Sequence, residues 1–272
     1  MAHIGVLQHL DRISMGPELV TGTSMGAVVG AWYCLNGSSD GLADMVRDLF
    51  ESELFEKLDL DDLLEDEDGS RDSFEQFSRR TRVLYTLSKM VRKISIVEAG
   101  FMEEIMNRLY GDATFDDLKI PFVAVATDLY SGEDIALSQG KIATAVQASA
   151  AIPGVFPPVP LDDMLLVDGY ITKNVPVPEP GEPPHRADVI VVDVQRSLED
   201  AGPWENGVEV VARAEWITQT QLNRYYLEQA DLVLVPDVRD VHWADFSRID
   251  QLIEAGRVSA VEKESEIIRL FE

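Results

Sequence analysis

The chain has 272 residues, 46% of them hydrophobic and 26% charged, enough to bury a full core in a soluble globular domain. Acidic residues outnumber basic ones 49 to 23, a net charge of -26; such a surface repels a polyanion, so no nucleic-acid partner is expected, and the acidity reads as solubility, as in a salty cytoplasm. The start, Met1-Ala2-His3-Ile4-Gly5-Val6-Leu7, lacks the charged lead and long apolar run of a secretory signal, and no segment approaches 18 uninterrupted apolar residues, so a cytoplasmic protein that does not span a membrane is expected.

Residues 2–12 predict a short amphipathic helix with Ile4, Leu7 and Leu10 on one face, followed by a Met15-Gly16-Pro17 turn. An extended run, Glu18-Leu19-Val20-Thr21, then leads into Gly22-Thr23-Ser24-Met25-Gly26, and a helical run follows from Ala27 to Leu35. Strand, G-x-S-x-G and helix in that order spell a nucleophile elbow: a serine on a sharp turn exposes its hydroxyl, and the flanking glycines let the backbone turn tightly beside it. The alternative is a plain Gly-Ser loop, against which stand the order of the segments and the small-residue helix face Ala27, Gly30 and Ala31. Cys34, the single cysteine, lies on that helix and is expected as a small core residue.

From about 40 to 110 the pattern is helical. Residues 48–68 hold 11 acidic side chains and one lysine, and residues 76–97 hold six basic ones (Arg79, Arg80, Arg82, Lys89, Arg92, Lys93) and no acid. Val83, Leu87, Met90 or Val91 and Ile94 fall at helical spacing in the basic run, a candidate for peripheral contact with an anionic membrane or for a lid. The competing reading is an ordinary surface helix whose charges answer the acidic run.

Beyond Ile120 short apolar runs with turn punctuation appear at Pro121–Ala126, Met164–Val167, Val189–Val194 and Leu232–Val235, separated by helical stretches at 141–151, 207–229 and 248–270. Mostly continuous apolar runs suit strands covered on both faces, so an α/β sandwich with a largely parallel central sheet is expected. The stiff loop Pro176–Pro184 interrupts it.

A serine nucleophile needs a base. The four histidines, His3, His9, His185 and His242, read as surface or helix residues. His242 formally completes a serine, acid, histidine order, but that α/β-hydrolase order places several strands ahead of its elbow, and here there is room for at most one. Leu165-Leu166-Val167-Asp168-Gly169-Tyr170 offers instead an acid that ends an apolar strand, with a glycine to turn the backbone away. A partly desolvated carboxylate there has a raised pKa and is fit to accept a proton, although an Asp-Gly turn is an equally good reading of the residues alone.

Several stretches, in order, are similar to the patatin-like phospholipases, in particular the bacterial members. They are Ala2-His3-Ile4-Gly5-Val6-Leu7; Gly22 to Ala27; Pro121-Phe122-Val123-Ala124-Val125-Ala126-Thr127-Asp128; Ala148 to Pro158; Val167-Asp168-Gly169; and Asn174-Val175-Pro176-Val177. The resemblance implies one three-layer α/β/α domain over residues 1–272, with the 40–110 stretch as a helical insertion. It also implies a Ser-Asp dyad, without histidine, metal or cofactor, that hydrolyses acyl esters of lipids. Ser24 then looks like the nucleophile and Asp168 like the general base, with Asp168-Gly169-Tyr170 as the acid motif, Asn174 as local support, and Ile152, Pro153, Val155 and Phe156 as a wall of the substrate cleft. Plain core packing is the competing reading for the last.

Two departures stand out. The family carries a glycine-rich loop with a basic residue just before the Ala-His-Ile-Gly-Val-Leu helix, donating N–H groups to the oxyanion, whereas Met1 here stands one residue before that helix. The resemblance therefore implies a chain truncated at the N-terminus, with the true start upstream as the expectation and a catalytically silent lipid- or partner-binding protein as the alternative. Tyr170, in turn, occupies a place where the family has glycine or alanine, and its side chain either narrows the site or points out of it.

Overall fold

The computed structural model describes residues 1–56, 93–177, 188–195, 198, 203–204, 206–238, 241 and 246–271. The basic run up to Arg92 and most of the acidic run lie outside the described residues, as do His185 and His242.

Helix α1 (Ala2–Arg12) is followed by strand β1 (Val20–Thr23) and helix α2 (Met25–Asn36), which ends at Gly37 in the left-handed conformation that closes many helices. Helices α3 (Leu42–Phe50), α4 (Glu53–Glu56) and α5 (Phe101–Tyr110) come next. Then follow β2 (Phe122–Asp128), β3 (Asp134–Leu137), α6 (Ile142–Ser149), β4 (Val159–Leu161), β5 (Met164–Asp168) and the one-turn helix α7 (Tyr170–Lys173). The C-terminal part holds β6 (Ile190–Val192), the long helix α8 (Gly207–Leu227), β7 (Leu232–Leu234), α9 (Ile249–Glu262) and α10 (Glu264–Leu270).

The α/β architecture matches the expectation; among the described residues β1 to β5 form a mixed sheet, and β6 and β7 a separate parallel pair. Parallel pairing joins β1 to β2 and β6 to β7, and both connections run through helices. Short links turn two other pairs antiparallel, as two-residue and five-residue connections must: Asp162-Asp163 joins β4 to β5, and residues 129–133 join β2 to β3; β5 also runs antiparallel to β2, after a longer excursion through β3, α6 and β4. Strand β2 is central. It pairs with β3 at residues 124–127, while β1 takes residues 122–125 and β5 takes 126–128. Since β3 overlaps both β1 and β5 along β2, those two share the opposite edge of β2 and meet there tip to tip.

Helix α1 departs from its expected single apolar face. Ile4 and Leu7 enter the main core, whereas Val6 and Leu10 pack with Leu232, Leu234, Ala260 and Ile267. A helix wedged between two apolar clusters is buried nearly all round, and it crosses α9 closely at Gly5 and Gly256. The main core also collects Val46 from α3, Ile105 from α5, Ala124 from β2, Val146 from α6 and Ile253 from α9. Cys34 is fully buried in it, and burial pushes its thiol pKa up to about 12. No helix among the described residues is long and apolar enough to cross a membrane.

Candidate active site

The elbow forms because Gly22 and Ser24 each meet a separate constraint. Gly22 lies so close to the first turn of α2 that a Cβ there would stand 2.6 Å from the Gly26 carbonyl oxygen and 2.7 Å from the Ala27 nitrogen. Ser24 itself takes φ 54° and ψ -125°, a conformation that costs a non-glycine residue about 1–3 kcal/mol and is held only when its surroundings insist. They do so through the Ser24 N–H, which donates to both the carbonyl oxygen and the Oγ of Ser149, each at 3.1 Å. The Ser149 hydroxyl donates in turn to the Val125 carbonyl at 2.6 Å. The Ser24 carbonyl accepts from Ala27 and Val28, which starts α2 and leaves the N–H groups of its first residues, Met25 and Gly26, directed ahead of the helix beside the serine.

Asp168 arrives from the other direction. Thr23 pairs with Val125 and Asp168 pairs with Ala126, so the ends of β1 and β5 abut at consecutive positions of one β2 edge. Gly169 permits this. A Cβ on it would stand 2.4 Å from the Val125 carbonyl oxygen and 3.1 Å from Thr23 Cγ2. Its φ is -67°, so close approach to β2 requires the glycine, not the turn away from the strand that the sequence suggested. Helix α7 fixes the junction further, since Thr23 Oγ1 donates to the Lys173 carbonyl at 2.9 Å and the hydroxyls of Thr127 and Thr172 lie 2.8 Å apart. Asn174 closes that helix.

The Asp168 carboxyl is fully buried. Its Oδ1 accepts from the Tyr170 N–H at 3.0 Å, while Oδ2 has no hydrogen-bond partner among the described residues. Burial raises the pKa from the ordinary 3.8 to about 7; the Ser24 hydroxyl and the Tyr170 N–H oppose that rise. The hydroxyl is therefore close enough to act on the carboxyl, although the two do not meet in standard hydrogen-bond geometry. Asp128, 40 residues earlier in the chain at the end of β2, makes the contrast plain. It accepts from the N–H groups of Leu165, Tyr130 and Ser131 and from the Ser131 hydroxyl, led by Leu165, and its pKa falls below the usual carboxylate value. One aspartate is a saturated structural acceptor; the other is left short of donors beside a serine.

Of the histidines, His9 is buried, with Nε2 3.1 Å from Glu264 of α10 and Nδ1 3.1 Å from Arg12; burial lowers its pKa. His3 lies on helix α1, as a helix residue was expected to, and also reaches the elbow. Its Nε2 would lie 3.8 Å from a Cβ on Gly26, its Nδ1 is buried without a partner among the described residues, and burial pushes its pKa down to about 3, so the ring is neutral. Among the wall residues, Val155 is buried, Phe156 packs partly buried against the main core, and Ile152 and Pro153 are half-buried. The segment is covered by residues 95–97, with Ile96 N–H donating to the Gly154 carbonyl and Val97 N–H to that of Val155, both at 2.9 Å.

Sequence reasoning missed Ser149 and His3 as neighbours of the elbow. Both stand inside motif-bearing stretches, but only the folded register shows what they touch.

An α/β fold that sets a serine on a strained strand–helix turn next to a buried, donor-poor carboxylate has the parts of an acyl-transfer hydrolase. The chain belongs to the patatin-like phospholipase family, whose model matches residues 1–180. An uncharacterized NTE family protein of Mycobacterium tuberculosis is 30% identical over 219 residues, which is 80% of this chain and 51% of that protein. Patatin-like phospholipase domain-containing protein 6 of Mus musculus is 25% identical over 244 residues, 88% of this chain and 15% of that one. The chain thus spans about half the length, or less, of the curated relatives it matches. Among solved structures, VipD from Legionella pneumophila aligns over 96% of this chain and 64% of its own with a TM-score of 0.50 and 15% identity, a likeness of fold alone.

Proposed function

We propose that this chain is a serine lipid acyl hydrolase of phospholipase, lysophospholipase or esterase type, working through a Ser24–Asp168 dyad. Membership of the patatin-like phospholipase family supports lipid ester hydrolysis. The observation that carries the residue assignment is the buried, unpartnered Oδ2 of Asp168 at the strand end abutting the Ser24 elbow. Ser24 Oγ attacks the ester carbonyl while its proton passes to Asp168 Oδ2. Collapse of the tetrahedral intermediate breaks the C–O bond, and the leaving alcohol or lysolipid takes that proton. Water then loses a proton to Asp168 and attacks the acyl-serine; the fatty acid departs and the serine regains its proton. The N–H of Met25, next after the nucleophile at the start of α2, is placed to stabilise the oxyanion.

A carboxylate with its pKa near 7 suits this work, because it holds a proton in flight without keeping it. The apolar stretch Ile152 to Phe156 is assigned to the acyl side of the site, and residues 1–272 to one domain; a main core shared by residues from Ile4 to Ile253 supports the latter. Turnover of phosphatidylcholine, lysophosphatidylcholine and p-nitrophenyl esters by the purified chain, compared with Ser24→Ala, tests the reading. Release of fatty acid that vanishes in the variant is expected, whereas equal release by both excludes Ser24 as nucleophile.

A further inference from the structure

Helix α8 lines one of its faces against the four residues of α7. Glu215 Oε1 accepts from the Tyr170 hydroxyl at 2.7 Å, and one turn on, Gln219 Nε2 donates to the Ile171 carbonyl at 2.8 Å. Farther along the same face the Lys173 ammonium stands 5.5 Å from the centre of the Tyr226 ring. Residues at i, i+4 and i+11 share a helix face, so the contacts form a single grip of α8 on α7. What α7 begins with is the N–H of Tyr170, which donates to Asp168 Oδ1 at 3.0 Å. The Tyr170 side chain points toward α8.

We infer that Tyr170 and Glu215 form a positioning pair, in which the phenol–carboxylate hydrogen bond anchors α7 to α8 and so sets the Tyr170 N–H that orients the Asp168 carboxyl. The inference rests on the dyad reading above. The pair touches no reacting atom: it acts through the backbone donor. The groups that bear on the Asp168 carboxyl are the Ser24 hydroxyl and Tyr170, and those that bear on the Tyr170 phenol are Glu215 and Asp168. A hydrogen bond to a carboxylate favours its charged form, so a loosened Tyr170 N–H raises the pKa at which Asp168 becomes a base.

The test is the rate of fluorophosphonate labelling at Ser24 of the whole chain, measured from pH 5 to 9, with Ser24→Ala and Asp168→Asn as references. Tyr170→Phe and Glu215→Ala are each expected to slow labelling about tenfold, by misplacing the base. Each should also move the acid limb upward by about half to one pH unit. Glu215→Gln keeps an acceptor oxygen and is expected to stay within about twofold of the parent, and the double variant to be no slower than either single one. Two outcomes overturn the pairing while leaving the dyad standing: parent-like rates and limb in folded Tyr170→Phe, or a slower rate with lower melting temperature but an unmoved limb. Parent-like labelling in Asp168→Asn overturns the dyad itself, and the pairing with it.

Discussion

Asp168→Asn is expected to make the protein more stable, and increasingly so as pH rises. Burial puts the folded-state pKa at about 7 against an ordinary 3.8, so the folded protein binds this proton more tightly than the unfolded chain does. Stability from this carboxyl is present at low pH and is lost as pH climbs from about 4 to about 7. At about 1.4 kcal/mol per pH unit the full loss is about 4 kcal/mol, more than half of which falls between pH 5 and pH 8. Asparagine cannot ionise; its oxygen still accepts from Tyr170 N–H, and its amide faces the Ser24 hydroxyl in place of the unpartnered Oδ2. The difference in melting temperature between variant and parent should therefore widen by about 5 °C from pH 5 to pH 8 for a chain of this size. Thermal unfolding followed by circular dichroism in matched buffers measures it. A difference that stays constant over this range would refute a raised pKa at Asp168, and with it the physical basis for the carboxyl as a proton acceptor near neutrality.

Hydrolysis should follow the same group, so that kcat/KM falls about tenfold per pH unit below roughly pH 7; a stopped ester assay with an uncharged substrate reads the limb, and a flat profile down to pH 5 would contradict it. Gly169→Ala places a methyl 2.4 Å from the Val125 carbonyl oxygen, and the forced shift should cost about 1–3 kcal/mol in urea denaturation together with most of the activity. Ser149→Ala removes one of two acceptors for the Ser24 N–H and the donor to the Val125 carbonyl; a loss of about 1–2 kcal/mol is expected, with slower labelling at Ser24. Asp128 carries the opposite pH sign to Asp168: its lowered pKa stabilises the fold above the ordinary carboxylate range and the benefit disappears on acidification. Asp128→Asn should therefore flatten the acid side of the stability curve while Asp168→Asn flattens the neutral side.

How much of this could be read from the residues depended on how local each cause is. The elbow is contiguous, so strand, G-x-S-x-G and helix announced it within 18 residues of chain, and β1 is the expected run shifted two residues along, Val20–Thr23 in place of 18–21. Asp168 was legible as a strand-end acid, but its meeting with Ser24 depends on β1 and β5 sharing one edge of β2, a register that no local pattern encodes. Gly169 was visible and its reason was not, because the atom it avoids, the Val125 oxygen, is over 40 positions away in sequence. The same holds for Ser149 and for the Tyr170–Glu215 bond. Helix α1 misled by the opposite route: Ile4, Leu7 and Leu10 do show helical spacing, but Val6 also needs a core, and two clusters supply it. The helix foreseen at 248–270 breaks into α9 and α10 at Lys263 without a glycine or proline to mark the place.

The most direct test of the dyad is stoichiometric labelling of the purified chain with a fluorophosphonate, with the modified residue located by mass spectrometry in parent and Asp168→Asn. One adduct is expected, on Ser24, that forms in the parent and is lost in the variant even though the variant melts at a higher temperature at pH 8. Labelling of Ser24 that survives in Asp168→Asn, or a folded parent that takes no label, would contradict it.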